Sequence, residues 1–311
     1  MTNNYAIVSD SSCDLSRGLQ NRFGIDGTLN GYVSTPEAED TEARLDLSDA
    51  ELDAFYKSLK ANPGGYKTAS FGVEAVTSYF EAFLREGRDV LAICISSKLS
   101  APYNVMTHAA KQLLEKYPER KITVVDSRKY SLGLGLLVIK AAELRAAGLS
   151  LTENAEKLEI IKKTAHQMGS VDDLFWVASK GRISHAKAFF GTIAGIKAMG
   201  DFDTDGMVTP LAKLSGYKKT HQAAIEYIKK TITAANEQII LVAHSARREQ
   251  AEILAELIKE HLKPREVIIC NVYPMNGVNI GPGLCAAYYL GTEITDLRRE
   301  KEIINEVISK L

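Results

Sequence analysis

The 311-residue chain is poor in the features that mark membrane, secreted or nucleic-acid-binding proteins. No apolar run approaches the ~20 residues needed to span a bilayer. The segment MTNNYAIVSD has no basic stretch followed by an apolar one, so no secretory signal is expected and the chain reads as cytoplasmic. Neither sign of charge is in excess: Lys plus Arg is 38, Asp plus Glu is 39 and the net charge is -1. That balance gives no reason to expect nucleic acid or an anionic membrane as the main partner. Cys13, Cys94, Cys270 and Cys285 include no CxxC pair. Cys94 and Cys270 lie in apolar runs, so buried reduced thiols are expected rather than disulfides or a zinc site.

Catalytic signatures are equally scarce. The serines form no GxSxG elbow, and the six histidines form no HExxH or comparable metal cluster. His244 and Ser245 are adjacent, which puts their side chains on opposite faces of a continuing strand. Gly133-Leu134-Gly135 follows a strand-like run, but the third glycine of a dinucleotide fingerprint would fall at Val138. There is no phosphate-binding loop ending in Lys-Ser/Thr, no internal repeat and no low-complexity segment. No catalytic residue, no metal and no cofactor is therefore expected.

What is present is an ordinary soluble composition, 45% hydrophobic and 25% charged, on a chain long enough for two domains. Val90 to Ile95 is an apolar run that turns abruptly into Ser96-Ser97-Lys98-Leu99-Ser100. Tyr5 to Val8 ends the same way, in Ser9-Asp10-Ser11-Ser12, and Ile122 to Val125 ends in Asp126-Ser127. In open α/β sheets ligands bind outside the carboxyl ends of the strands, where hydroxyls and the N–H groups of a helix start can receive an anionic head group. The competing reading is that these hydroxyls simply cap helices.

Strand-like runs alternate with helical periods through about residue 150, which predicts an α/β N-terminal domain over 1–150 with a mostly parallel sheet. Helices are expected over 15–23, 48–60, 73–86, 103–117, 132–146 and 152–168, the last with Thr152 as its cap. Residues 25–48 read as irregular. The second domain, 151–311, reads as strands at 175–178, 238–243 and 267–272, a hairpin around Asp203-Thr204-Asp205-Gly206, and helices at 185–194, 218–233 and 247–261. Gly281-Pro282-Gly283 is a rigid turn with Pro282 suited to a helix start, and the tail from Asp296 has helical periodicity.

The order of these segments resembles the DegV family of bacterial fatty-acid-binding proteins, the lipid-carrying subunits of fatty acid kinase. The resemblance lies in Ser9 to Leu15, Lys67-Thr68-Ala69-Ser70, Ile95 to Tyr103, Val125-Asp126-Ser127 with Gly133 to Gly135, Asp173-Leu174 with Gly181-Arg182-Ile183-Ser184, and Asn279 to Gly283. It implies a two-domain DegV-like (EDD) fold, an N-terminal mostly parallel sheet flanked by helices plus a C-terminal mixed sheet with helices. It also implies that the chain binds a long-chain fatty acid, with the carboxylate between the domains and the alkyl chain in a tunnel of the C-terminal domain. By position the head-group residues are Thr68, Ser100 and Asn279, with Ser97 and Ser70 beside them. Arg182 matches the arginine that presents the acid to the kinase catalytic subunit, the partner that supplies ATP and makes the acyl phosphate for phospholipid metabolism. The binding protein itself performs no chemistry. Its membrane contact is at most transient.

Phe189, Phe190, Ile193 and Ile196 stand among small residues and are candidates for the tunnel lining; close helix packing explains the same pattern equally well. An alkyl chain gains about 0.8 kcal/mol per buried CH₂, and a buried carboxylate needs several donors. Three departures bear on the ligand. Ala101-Pro102 replaces the family's Gly-Thr and removes a hydroxyl and an N–H, Ala69 replaces a serine, and Asn279 replaces a titratable histidine. They leave open a carrier of a different amphipathic carboxylate, and the serine-rich loops leave open a serine-dependent hydrolase. The tail past Gly291 extends beyond the family pattern.

Overall fold

The computed structural model describes residues 4–183 and 195–311. The chain divides into two compact units, Met1–Leu47 with Gly64–Lys162, and Ser48–Pro63 with Lys163–Leu311. The division follows Lys162 rather than residue 150, because the helix after 150 packs on the strands of the first unit.

The chain opens with β1 (Tyr5–Asp10), α1 (Arg17–Phe23), β2 (Gly27–Leu29), β3 (Tyr32–Ser34) and β4 (Thr41–Glu42). Next comes α2 (Asp49–Ala61), started by a Ser48–Glu51 capping box and belonging to the second unit. The first unit continues through β5 (Lys67–Ala69), α3 (Val73–Arg85), β6 (Asp89–Cys94), α4 (Pro102–Lys116), β7 (Ile122–Asp126), α5 (Leu132–Ala146) and α6 (Leu151–Ile161). Its main sheet is wholly parallel, in the order β2-β1-β6-β7. The apolar runs noted in the sequence become its strands, since a parallel strand covered on both faces must be apolar throughout. Val76, Phe80, Leu84, Met106 and Leu113 cover one face with Ala6, Val8, Val90 and Ala92. The helix α5 is buried along most of its length; a Cβ on Gly135 would stand 2.6 Å from the Cys13 carbonyl oxygen, so the close approach requires glycine.

The second unit contains β8 (Ala165–Val171), α7 (Leu174–Ser179), β9 (Ile196–Phe202), β10 (Val208–Ser215), α8 (Tyr217–Thr231), β11 (Ile239–His244), α9 (Arg248–Leu262), β12 (Glu266–Asn271), α10 (Pro274–Ile280), β13 (Cys285–Leu290) and α11 (Arg298–Ile308). Its sheet runs β10-β9-β8-β13-β11-β12. Only β11 and β12 pair in parallel; the other neighbours are antiparallel. Met168, Tyr227, Ile240, Val242 and Leu254 lie in its core, which Ile304 and Val307 of α11 complete. The α/β class, the mostly parallel first sheet and the mixed second sheet agree with expectation. The four cysteines are buried thiols. Among the described residues no helix is long and apolar enough to cross a membrane.

Several local expectations are corrected. The helix expected over 152–168 ends at Ile161, and its last part is β8. That segment pairs with β13 on one side and β9 on the other, and pairing on both edges overrides local propensity. The cap is Ser150, in a box with Glu153, not Thr152. Residues 174–179 are helix rather than strand, started by the Asp173 carboxylate accepting from the Trp176 N–H. The stretch 25–48 contains β2, β3 and β4, stabilised by long-range pairing rather than by its own pattern. Pro282 starts no helix; α10 lies before it, and Gly281–Gly283 leads into β13. The expected helix over 185–194 lies outside the described residues.

Candidate functional site

The end of β1 and the turn that follows it, Ser9 to Asp14, organise the carboxyl end of the parallel sheet. The Asp10 carboxylate accepts from the N–H groups of Ser12 and Ile95, each at 2.8 Å. Ser9 donates to the Ile93 carbonyl at 2.7 Å. The Ser11 hydroxyl accepts from the Gly31 N–H at 3.1 Å, and the Asp14 carboxylate accepts from the Ser131 hydroxyl at 2.6 Å. One buried turn therefore fixes the loops that follow β2 and β6 and the loop that precedes α5. Burial pushes the Asp10 carboxyl above its ordinary pKa, although both N–H donors pull it down. The sequence signal for this scaffold was a run of polar residues straight after an apolar strand; its role as a hub was not legible there.

Ser97 and Ser100 stand in the loop after β6. The Ser97 hydroxyl donates to Asp126 at 2.6 Å and its N–H reaches the same carboxylate at 3.2 Å. Ser97 is thus tied to β7. The half-buried Ser100 sends its N–H to the Ser96 carbonyl at 3.2 Å. Neither caps α4, whose N-cap is Ala101 with no side-chain bond and whose first residue is Pro102. The capping explanation for these hydroxyls therefore fails, and a 15-residue helix begins beside Ser100 with no side-chain acceptor over its first N–H groups.

Thr68 lies on β5, opposite Val33 of β3. The Ser11–Gly31 bond anchors the chain just before β3, so Thr68 and Ser100 are both held through the turn after β1. Lys67 to Ser70 does not cap α3, whose N-cap is Gly72 without a side-chain bond. The Ser70 hydroxyl oxygen is buried and has no hydrogen-bond partner among the described residues. A buried hydroxyl left unpaired costs about 1–3 kcal/mol, which a ligand oxygen would relieve.

In the second unit Asn279 is half-buried near the end of α10, its amide donating to the Met275 carbonyl at 3.1 Å. The Gly281–Leu284 turn beside it is clamped by Ser245, which donates to the Gly281 carbonyl at 2.7 Å and accepts from the Leu284 N–H at 2.8 Å. A Cβ on Gly283 would meet the Asp172 side chain at 2.5 Å. Asp172 gathers Lys197 at 2.5 Å, Tyr217 at 2.7 Å and Arg247 at 2.6 Å. Burial opposes its ionisation, but these three donors hold its pKa below the ordinary carboxylate value. Arg182 is exposed and bonds the Lys180 carbonyl. Ile196 begins β9, half-buried. Phe189, Phe190 and Ile193 lie outside the described residues.

The adjacent His244 and Ser245 make no nucleophile–base pair. Ser245 is used by the Gly281–Leu284 turn, and both His244 ring nitrogens are buried without a partner. Among the described residues no group of three or more His, Cys, Asp or Glu is arranged to hold a metal. An open groove of about 480 Å³ between α4 and β7, lined by Tyr103, Ala110, Leu114, Ile122 and Val124 among others, includes none of the expected ligand residues.

A family model described as "Uncharacterised protein, DegV family COG1307" matches residues 4–292. The chain belongs to the DegV family. A DegV domain-containing protein of Clostridium perfringens strain 13 is 34% identical over 292 residues, spanning 92% of this chain and 97% of that protein. The solved structure of a DegV family protein from Thermus thermophilus, described by its fatty acid binding, superposes with a TM-score of 0.80 at 24% identity, over 93% of this chain and 100% of that one. The Streptococcus pneumoniae fatty acid kinase (Fak) B3 protein loaded with linoleic acid gives 0.77 at 21% identity, with 93% and 100% covered. Measured against the family match, α11 lies wholly beyond its end.

Proposed function

We propose that this DegV chain binds a long-chain fatty acid. Thr68 and Ser100 donate to the carboxylate, with Ser70, Ser97 and Asn279 beside them, and the second unit houses the alkyl chain. The observation that carries the reading is that the hydroxyls of Ser97 and Ser100, at the carboxyl end of the parallel sheet, and of Thr68 and Ser70, on and just after β5, cap neither α3 nor α4, in a fold shared with the linoleate-loaded pneumococcal protein. Neutral donors can hold a carboxylate without adding charge, and the buried, unpartnered Ser70 hydroxyl supports a ligand oxygen nearby. No catalytic step is assigned to the chain. The bound acid is presented to a kinase catalytic subunit, with the exposed Arg182 at that contact; the pneumococcal relative's description as a fatty acid kinase protein supports this partner.

Native mass spectrometry of the purified protein, followed by denaturation and identification of the released molecule, tests the reading. The expected result is a stoichiometric fatty acid that is lost when Thr68 and Ser100 are both changed to Ala. Full retention in the double variant removes the head-group assignment. A second reading, a different amphipathic carboxylate, is favoured by one feature: Ala101-Pro102 supplies no hydroxyl, and Pro102 no N–H, at the start of α4. A released acid other than a fatty acid selects it.

A further inference from the structure

The helix α10 has only seven residues, too few to hold its own direction in water, so its neighbours must aim it. Three side chains from distant parts of the second unit do so, and each bonds to backbone. At its start, the buried Tyr56 hydroxyl of α2 donates to the Val272 carbonyl at 2.7 Å. In its middle, a Cβ on Gly277 would stand 2.7 Å from the Tyr56 hydroxyl oxygen and 3.0 Å from the Phe55 ring, so α2 sits in a notch that only glycine leaves open. At its end, the Trp176 indole N–H of α7 donates to the Val278 carbonyl at 3.1 Å, one residue before Asn279. The same indole lies where a Cβ on Gly281 would come within 2.7 Å of the ring. Ser245 closes the turn from the opposite flank.

We infer that Tyr56 and Trp176 are positioning residues for ligand binding, acting through α10 to hold Asn279 in its binding orientation. This rests on the proposed role of Asn279 at the head group. Neither residue needs to touch the ligand. Their hydrogen bonds end on carbonyls that flank or lie within α10, so losing one frees the helix to tilt and displaces the Asn279 amide. The placement also gives α2 a purpose. It is contributed by a stretch of sequence between two strands of the first unit, yet it docks within the second unit against α10.

The test is a double-mutant cycle read by isothermal titration with oleate. Tyr56→Phe keeps the ring packing and removes only the hydroxyl; Trp176→Phe keeps an aromatic ring and removes the indole N–H. Each is expected to weaken oleate binding by about tenfold, the value of one well-placed hydrogen bond. Asn279→Ala should weaken it comparably. In the Asn279→Ala background, adding either aromatic change should cost nothing further, because the residue it positions is gone. A merely structural role predicts the reverse, with losses that multiply. Two outcomes overturn the inference while leaving Asn279 at the head group: multiplying losses, or an Asn279→Ala defect with neither aromatic change having an effect. If Asn279→Ala binds oleate like the unmodified protein, the head-group role of Asn279 fails and the positioning role falls with it. Should Tyr56→Phe not fold, Trp176→Phe alone completes the cycle.

Discussion

In the first unit the buried carboxylates of Asp10 and Asp14 each meet hydrogen-bond donors. In the second, the side-chain polar atoms of Glu300 and His244 are as deeply enclosed and meet none among the described residues. The contrast is between sites rather than whole units, since Asp201, fully buried in the second unit, accepts from the Gln167 N–H and the Tyr227 hydroxyl, each at 2.9 Å. In the parallel sheet, β1 and β6 end at the same edge, where loops arrive with backbone N–H groups to spare, and a carboxylate there becomes a scaffold. In the mixed sheet, α11 packs an amphipathic face on α8 and β10 and brings Glu300 inward with the apolar residues Ile304 and Val307. A partnered buried group makes a site rigid. A buried group whose pKa is shifted, partnered like Asp10 or unpartnered like His244, makes stability depend on pH.

The largest test of this contrast is Asp10→Ala. It leaves the N–H groups of Ser12 and Ile95 without their carboxylate acceptor in a buried turn, at about 1–3 kcal/mol each, so a loss of about 4 kcal/mol is expected in urea unfolding followed by circular dichroism. A loss below about 1 kcal/mol means the hub is dispensable.

Next comes acid. Burial, with Arg248 adding to it, lowers the His244 pKa from 6.5 to about 4. The unfolded chain then binds the extra proton between those values, so stability falls as pH drops from 6.5 toward 4. The contribution from this residue is about 3 kcal/mol. His244→Phe should flatten that slope, and an unchanged slope assigns the acid sensitivity elsewhere.

Gly135→Ala probes the first unit from another side. Its Cβ would press on the Cys13 carbonyl at 2.6 Å and on Leu15 at 3.1 Å, displacing α5 from the turn after β1 at a cost of about 2 kcal/mol. Thermal melts should show it; a melting temperature equal to that of the unmodified protein contradicts the close packing.

The smallest effect has the opposite pH sign. Burial raises the Glu300 pKa above its ordinary 4.5, with Asp201 adding to the rise and His166 and Arg299 opposing it. The folded state therefore holds the proton longer than the unfolded one, and the docking of α11 weakens as pH rises from 4.5 through the folded value. Glu300→Gln should stabilise the protein near pH 8 and leave it unchanged near pH 4. Equal effects at both pH values rule out ionisation as the cause.

The two units also differed in how far their sequence could be read. Tyr5–Asp10 and Asp89–Cys94 stood out as apolar runs closed by polar residues because parallel strands buried on both faces have no other composition open to them; Ile122–Asp126, the half-buried edge strand, showed the same pattern. The helix over Leu132–Ala146 was legible for the same reason. The segment Ala165–Val171 was not, since His166, Gln167 and Ser170 become buried only once β9 and β13 lie on either side. Thr68, Ser100 and Asn279 could be marked from motif positions. That Ser97 is bound to Asp126, that the hydroxyl loops cap no helix, and that Tyr56 and Trp176 aim α10 could not.

The sequence by itself determined which stretches must be buried, where polar loops interrupt them, and to which family the pattern belongs. Burial and its interruptions are consequences of composition and spacing along the chain; the family was read from the resemblance of its motifs. Only the tertiary structure decided which hydroxyls are already spoken for, which carboxylates find donors, and which helix steers another. Those outcomes depend on atoms brought within 3 Å by residues as distant as Tyr56 and Val272. A hydrogen bond is decided by distance and direction, and neither is written in the local pattern of either partner.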